Sequence, residues 1–175
     1  MEVIERILLA FFVFVLTAHP GITAAPAKNQ ASPGILRLRS LAGVWEGRDE
    51  RGNPTKTTFK LIAGDTAVME TLSVSRMEEM VTIYSQDGDD IMLLHYCPTN
   101  NQPRMRATPA PGDVRELVFA FEGASNLADA SEGHEQRLVI QFQDNDHITE
   151  RWTWRQGGKD TEMVYHFARK NRNSR

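Results

Sequence analysis

The stretch that decides the fold is EQRLVIQFQDNDHITERWTWRQGGKDTEMVYHFARK, residues 135–170. It contains three runs rich in β-branched and aromatic residues, separated by the short turns DND at 144–146 and QGGK at 156–159. Aspartate, asparagine and glycine tolerate the positive φ angles of tight hairpin turns, so consecutive runs should pair antiparallel. The stretch therefore predicts a three-stranded antiparallel meander.

Similar runs precede this stretch at a spacing of roughly ten residues, which is typical of an all-β sandwich or barrel. They are LAGVWEGR, TKTTFKLI, TAVMETLSV, EMVTIYSQ, DIMLLHYC, PRMRAT and VRELVFAFE. No helical pattern long enough for a crossover separates them, which excludes a parallel sheet. An open sheet of about ten strands would leave two unpaired edges, so we expect a single antiparallel up-and-down β-barrel. The segment SNLADASEGH, residues 125–134, predicts one helical turn.

The N-terminus is typical of a signal peptide. A short charged start precedes the apolar run ILLAFFVFVL at 7–16, and small residues follow in TAAPA at 23–27. We expect cleavage after Ala27, with Ala24 as the alternative, and therefore an exported protein. The run is shorter than the roughly 20 residues of a membrane span, so a retained anchor is less favoured. We expect residues 7–16 to form a helix detached from the domain.

The sequence predicts a simple domain organisation. Residues 1–27 are the predicted signal peptide, 28–40 a linker, 41–170 the barrel domain and 171–175 a basic tail. Cleavage would leave 148 of the 175 residues, enough for one domain with one core.

Charge and composition exclude several classes of function. Cleavage would change the formal net charge from −3 to −2, which argues against a nucleic-acid partner or an anionic membrane. The single cysteine, Cys97, excludes an internal disulfide. The histidines beyond the signal peptide have no ligand spacing, so we expect no metal and no cofactor; they are His95, His134, His147 and His166.

The first predicted strand carries the motif GVWEG at 43–47, and the last ends in Arg169. This pattern resembles the calycins, in which a first-strand Trp closes the base of the barrel and a late Arg lies across its ring. The resemblance implies that Trp45 and Arg169 form this pair. A wider resemblance, to uncharacterised exported bacterial proteins with a lipocalin-like domain, rests on MET at 69–71, HYC at 95–97, NQPRMR at 101–106 and WTW at 152–154. That family implies a barrel but no established activity.

The chain is also similar to nitrobindin, the haem barrel, in its G-x-W-x-G motif and a histidine near the C-terminus. This resemblance would make His166 the iron ligand. The match is incomplete, because Asp49 stands where a further glycine is expected. Alternation on the last strand places Met163, Tyr165 and Phe167 on the apolar face and His166 on the other. Haem binding is therefore a less favoured alternative.

Alternation along two strands places a glutamate among inward apolar residues. Glu70 lies between Val68 and Leu72, and Glu150 between Ile148 and Trp152. A buried carboxylate needs a donor or keeps its proton with a raised pKa. We therefore predict that both glutamates point into the barrel and that at least one of them is hydrogen-bonded to Arg104, Arg106, His95 or Tyr96.

Those four residues flank a turn in the stretch HYCPTNNQPRMR, residues 95–106. Alternation leaves the side of His95 and Tyr96 undecided. Alternation nominally points Arg104 and Arg106 outward. In the alternative, both side chains point inward and form a polar surface beneath a ligand. The candidate ligand-binding residues are Glu70, His95, Tyr96, Arg104, Arg106, Glu150 and Trp152.

The function predicted from this pattern is binding of a small, mainly apolar ligand in the mouth or lumen of the barrel. The alternative is a filled barrel that acts as a structural or partner-binding module, since small barrels commonly fill their interiors with side chains. An enzyme is not expected. A glycosidase mechanism requires a defined distance between two carboxyl groups. The sequence does not give the distance between Glu70 and Glu150. His95 and Cys97, at i and i+2 on a strand, are about 7 Å apart at Cα, which disfavours a thiolate couple.

Overall fold

The computed structural model describes residues 30–75 and 77–170 of the chain. One short helix precedes ten strands. The elements are α1 (Pro33–Arg39), β1 (Gly43–Asp49), β2 (Pro54–Ile62), β3 (Ala67–Val74), β4 (Met80–Asp87), β5 (Asp90–Tyr96), β6 (Gln102–Ala107), β7 (Glu116–Ser125), β8 (His134–Phe142), β9 (His147–Gln156) and β10 (Lys159–Arg169). The predicted signal peptide, with its helix at 7–16, and the predicted tail at 171–175 lie outside the described residues.

The ten strands form one closed antiparallel barrel. Each strand pairs with the next along the chain, and β10 pairs with β1 to close the sheet. Buried and more exposed residues alternate along the strands. In β3, Val68, Glu70, Leu72 and Val74 are buried and the residues between them are partly exposed. The prediction of a single all-β up-and-down barrel of about ten strands is confirmed.

Helix α1 lies within the segment predicted as a linker. The Ser32 hydroxyl accepts a hydrogen bond from the Ile35 backbone N–H at 3.3 Å, and Pro33 occupies the first turn, where its missing N–H costs nothing. Ile35 and Leu38 are fully buried in the same core as the barrel strands. Residues 33–39 are therefore part of the folded unit. The helical turn predicted at 125–134 is not formed, because residues 126–133 make turns and bends between β7 and β8.

The connections between strands divide the barrel into two ends. The helix end carries α1, the start of β1 and the connections at 63–66, 88–89, 108–115 and 143–146. The opposite end, which we call the cavity end, carries the connections at 50–53, 75–79, 97–101, 126–133 and 157–158. Among the described residues, no helix is long and apolar enough to cross a membrane.

The helix end contains the contact that the calycin resemblance implied. Trp45 is fully buried and donates from Nε1 to the Leu41 carbonyl oxygen at 2.8 Å. The Arg169 guanidinium lies 4.2 Å from the centre of the Trp45 ring and donates to the carbonyl oxygens of Ser40 and Ala42. These contacts join the last strand to the segment between α1 and β1 over the buried ring.

Candidate ligand-binding site

A pair of carboxyl groups lies in the middle of the barrel. Glu70 and Glu150 are both fully buried, as the alternation of their strands predicted. Glu70 accepts a hydrogen bond from the Thr57 hydroxyl at 2.8 Å through Oε1 and one from the Tyr84 hydroxyl at 2.6 Å through Oε2. These donors lie on β2 and β4, the two neighbours of β3. Glu150 accepts from Trp152 Nε1 at 3.3 Å.

The two glutamates interact with each other and with neutral donors rather than with a cation. Burial raises the pKa of Glu70, and hydrogen bonding opposes this rise. Burial and then the nearby Glu70 charge raise the pKa of Glu150 well above its ordinary value. Oε1 of Glu150 is buried and has no hydrogen-bond partner. The raised pKa values favour the protonated form of at least one of the two carboxyl groups.

The prediction that Glu70 or Glu150 is hydrogen-bonded to Arg104, Arg106, His95 or Tyr96 is wrong, and the two arginines point outward, as alternation nominally indicated. Arg106 points outward and binds Asp87, Asp90 and Glu122, with the Glu122 contact at 2.6 Å. Arg104 is exposed and donates to the Ser125 hydroxyl at 3.2 Å. Hydroxyl and carboxyl donors replace the arginines, because they bring a proton to the carboxylate without bringing a second charge into the core.

The structure separates the other predicted site residues. Tyr96 is 47% exposed on the outer surface, so its predicted place beside the glutamates is wrong. His95 and Trp152 are buried, with ring centres 4.6 Å apart. His95 Nδ1 is 2.9 Å from the Thr82 hydroxyl, although His95 forms no bond to either glutamate. Four predicted residues therefore lie inside, namely Glu70, His95, Glu150 and Trp152.

A cavity of about 300 Å³ occupies the cavity end of the barrel. Eleven side chains line it, and most are apolar or aromatic: Leu72, Met77, Met80, His95, Cys97, Thr99, Glu135, Trp152, Trp154, Met163 and Tyr165. His95 and Trp152 separate the cavity from the glutamate pair, since each lines the cavity and Trp152 also donates to Glu150. Met77, which is 50% exposed, extends the apolar surface to the rim.

Glu135 is a cavity residue that sequence reasoning missed. Alternation with Leu138, Ile140 and Phe142 would place Gln136 inside and Glu135 outside. A register shift between Glu135 and Arg137 reverses the alternation, so that Glu135 faces Trp154 across the strand pair and is buried. The residue pattern itself carries no signal for this bulge.

Two polar atoms at the cavity have no protein partner. His95 Nε2 and Glu135 Oε2 are buried and make no hydrogen bond. Burial lowers the pKa of His95 to about 4 and raises the pKa of Glu135 to about 8. At pH 7 the imidazole is therefore neutral and the carboxyl group is mostly protonated. A buried polar atom without a partner costs about 1–3 kcal/mol, which a ligand that satisfies it would recover.

The remaining predicted residues lie away from this arrangement. His166 is exposed, and its Nδ1 is 3.1 Å from the Thr149 hydroxyl, so it does not line the cavity and does not suit an iron inside the barrel. Cys97 is a partly buried free thiol at the cavity wall. Within residues 30–75 and 77–170, no three His, Cys, Asp or Glu side chains are grouped as metal ligands.

Comparison with known proteins supports the fold alone. No protein-family model matches the chain, and no curated protein sequence matches it. The crystal structure of Rv2717c from M. tuberculosis is similar, with a TM-score of 0.60 and 12% sequence identity. The match covers 81% of this chain and 100% of that chain. The protein thus shares a ten-stranded antiparallel barrel with a solved structure whose sequence is very different.

Proposed function

We propose that this barrel binds a small, mainly apolar molecule in the cavity at its cavity end. The observation that carries the proposal is the cavity itself, which is lined by methionine, leucine and tryptophan side chains and has two unsatisfied polar atoms at its wall. Such a combination is typical of ligand sites, where apolar area supplies affinity and a few polar groups fix orientation. A volume of about 300 Å³ suits a molecule of modest size.

A series of 1-alkanols from hexanol to decanol tests the proposal by titration calorimetry. Each added CH2 should strengthen binding by about 0.8 kcal/mol, or roughly fourfold, until the chain fills the cavity. Binding of none of these alkanols, or affinity independent of chain length, would contradict the proposal.

Tyr96 ends β5 and Cys97 begins the loop after it, with their side chains on opposite sides of the sheet. This adjacent pair offers a matched control. Cys97→Trp would fill the cavity, whereas Tyr96→Trp places the same ring on the outer surface. The first variant should lose alkanol binding and the second should keep it, with folding of both checked by circular dichroism. If Cys97→Trp does not fold, Cys97→Leu should shorten the longest alkanol that binds.

The geometry favours binding over catalysis. The glutamate pair does not line the cavity, because His95 and Trp152 lie between the two glutamates and the cavity. A hydrolytic role would require substrate contact with these carboxyl groups. The alternative of a filled structural barrel fits the middle of the core, but the space bounded by Met80 and Trp154 supports a ligand.

The proposal extends to export and to a distant relation with calycins. The apolar run at 7–16 and the small residues at 23–27 support export of the barrel as a carrier. N-terminal sequencing of the protein from its host should give Lys28 as the first residue. The Arg169–Trp45 contact supports the calycin relation.

A further inference from the structure

We propose that the polar end of the ligand is a protonated amine, so that the cavity selects an apolar primary amine, with Glu135 as its counter-ion. This inference rests on the proposed function and adds the chemical class of the ligand. The observation behind it is that a carboxyl group and a ring nitrogen, each without a protein partner, line the same apolar space.

Glu135 is placed to receive a cation. Its side chain lines the cavity and is only 4% exposed, and its Oε2 makes no hydrogen bond within the barrel. None of the eleven described lining residues is a lysine or an arginine. The neighbouring arginine on β9, Arg155, donates instead to Asp160 at 2.6 Å and 2.8 Å. A positive charge entering the cavity would therefore find an unpaired carboxyl group there.

His95 supplies a second acceptor. It is 1% exposed, and its Nδ1 and the Thr82 hydroxyl are 2.9 Å apart. When the ring proton is on Nδ1 and is donated to the Thr82 hydroxyl, Nε2 of His95 is left as a lone-pair acceptor. Both His95 and Glu135 line the cavity.

The other cavity residues suit the same head group. The aromatic faces of Trp152, Trp154 and Tyr165 line the cavity, and aromatic faces attract cations. Glu135 raises the pKa of Tyr165 by its charge, after the larger effect of burial, which places the phenol near the carboxyl group. A primary ammonium carries three N–H donors that suit a carboxylate and a ring nitrogen, whereas a carboxylate head group would be repelled by an ionised Glu135.

The proton balance of binding gives a distinctive readout. Free Glu135 is mostly protonated at pH 7, because its pKa is about 8. When an alkylammonium ion binds, the O–H bond of Glu135 breaks, the carboxylate pairs with the ammonium, and the proton leaves to buffer. The other titratable groups at the cavity are His95, Cys97 and Tyr165. His134 precedes Glu135 on β8, Arg155 lies on the neighbouring β9, and Asp160 lies on β10 beyond it. Affinity for an amine should therefore rise between pH 6 and pH 8, as Glu135 ionises more easily.

Three probes of equal chain length test the inference: 1-octylamine, 1-octanol and octanoate, titrated at pH 7 in two buffers of different ionisation enthalpy. We expect octylamine to bind about tenfold or more tightly than octanol, with release of close to one proton, and octanoate to bind most weakly. In Glu135→Gln, the ratio of amine to alcohol affinity should fall close to one and proton release should stop. The exposed Glu116→Gln is the matched control and should keep the wild-type ratio.

The outcomes distinguish failure of the amine inference from failure of the proposed function on which it rests. Equal binding of octylamine and octanol to the wild type would overturn the amine inference and leave the apolar site standing. Tightest binding of octanoate would also overturn it. An amine preference that persists in Glu135→Gln would show that another group makes the selection, and would overturn the assignment to Glu135. Binding of none of the three probes would contradict the inference and the proposed function together.

Discussion

The two ends of the barrel use aromatic residues in opposite ways. At the helix end, the Trp45 ring is fully buried, its Nε1 has a carbonyl acceptor, and Arg169 covers its face. At the cavity end, Trp154 is partly exposed and borders open space, beside a carboxyl oxygen and a ring nitrogen that have no partner. At the helix end the buried tryptophan has its polar partners, whereas at the cavity end two polar atoms of lining residues have none.

The difference indicates where stability and function are located. Closing the helix end with α1 and Arg169 stabilises the barrel. Leaving space and unpaired acceptors at the cavity end costs free energy, which a ligand would return. The glutamate pair lies between the two ends, with hydroxyl donors on Glu70 and the Trp152 indole N–H on Glu150.

The largest effect should come from removing the ring at the helix end. Trp45→Ala should lower the free energy of unfolding by about 3–5 kcal/mol, because it deletes a fully buried ring and leaves a cavity. Trp154→Ala, on a partly exposed ring, should cost less stability and weaken alkanol binding more. Urea unfolding with parallel octanol titration measures both quantities. Equal stability losses would remove the contrast between the two ends.

Substituting the two buried glutamates one at a time should lower the free energy of unfolding by different amounts. Glu70→Gln should cost about 1–3 kcal/mol, because an amide replaces an acceptor that serves Thr57 and Tyr84. Glu150→Gln should cost less than about 1 kcal/mol, since the amide oxygen can still accept the hydrogen bond from Trp152. Urea unfolding of both variants at pH 7 tests this. A larger loss in Glu150→Gln would mean that the proton resides mainly on Glu70.

The pH dependence of stability should identify Glu135 as a buried acid. Its folded pKa of about 8 lies above its ordinary 4.5, so the native state binds more protons than the unfolded state between these values, and stability falls as pH rises. From pH 6.5 to 8, the wild type should lose up to about 2 kcal/mol relative to Glu135→Gln. This window lies above the range in which His95, with a lowered pKa of about 4, affects stability.

Unfolding curves at half-unit pH steps measure the slope for the wild type, Glu135→Gln and Glu116→Gln. The Glu116 variant should run parallel to the wild type, because its carboxyl group is exposed. Parallel curves for all three proteins would show that Glu135 is already ionised at neutral pH.

The smallest effect should come from the arginine on the outer face. Arg106→Gln breaks a partly exposed group of ion pairs with Asp87, Asp90 and Glu122, and should lower stability only slightly, because solvent screens such pairs. Its effect should shrink in high salt, and octanol affinity should stay at the wild-type value. A change in octanol affinity would contradict this prediction, because it would mean that the ion pairs on the outer surface affect the cavity.

Alternation along strands predicted the closed meander and the inward direction of Glu70 and Glu150, because a period of two is a property of the strand alone. Their partners were not predictable in this way. Thr57 and Tyr84 reach Glu70 through the register of β2 and β4 against β3, which is fixed only when the sheet forms. The need for a donor suggested Arg104, Arg106, His95 or Tyr96, whereas the hydroxyl groups of Thr57 and Tyr84 donate to Glu70.

Local irregularity explains the other differences. The bulge in β8 turned Glu135 into the cavity, and no feature of EQRLVIQF marks it. Helix α1, by contrast, has sequence signals in Ser32, Pro33 and the buried spacing of Ile35 and Leu38. Taken alone, the proline and glycine of ASPGIL indicate a linker, whereas Ser32 followed by Pro33 is also the pattern of a helix N-terminus.

The central claim is that an apolar ligand binds at the cavity end and leaves the helix end unchanged. The three tryptophans report on both ends at once, since Trp152 and Trp154 line the cavity and Trp45 lies under Arg169. A 15N–1H spectrum of the indole N–H groups, recorded while 1-octanol is added, tests the claim directly. We expect the Trp152 and Trp154 resonances to shift with saturation while Trp45 stays in place. A shift of Trp45 equal to theirs, or no saturable shift of any indole, would contradict it.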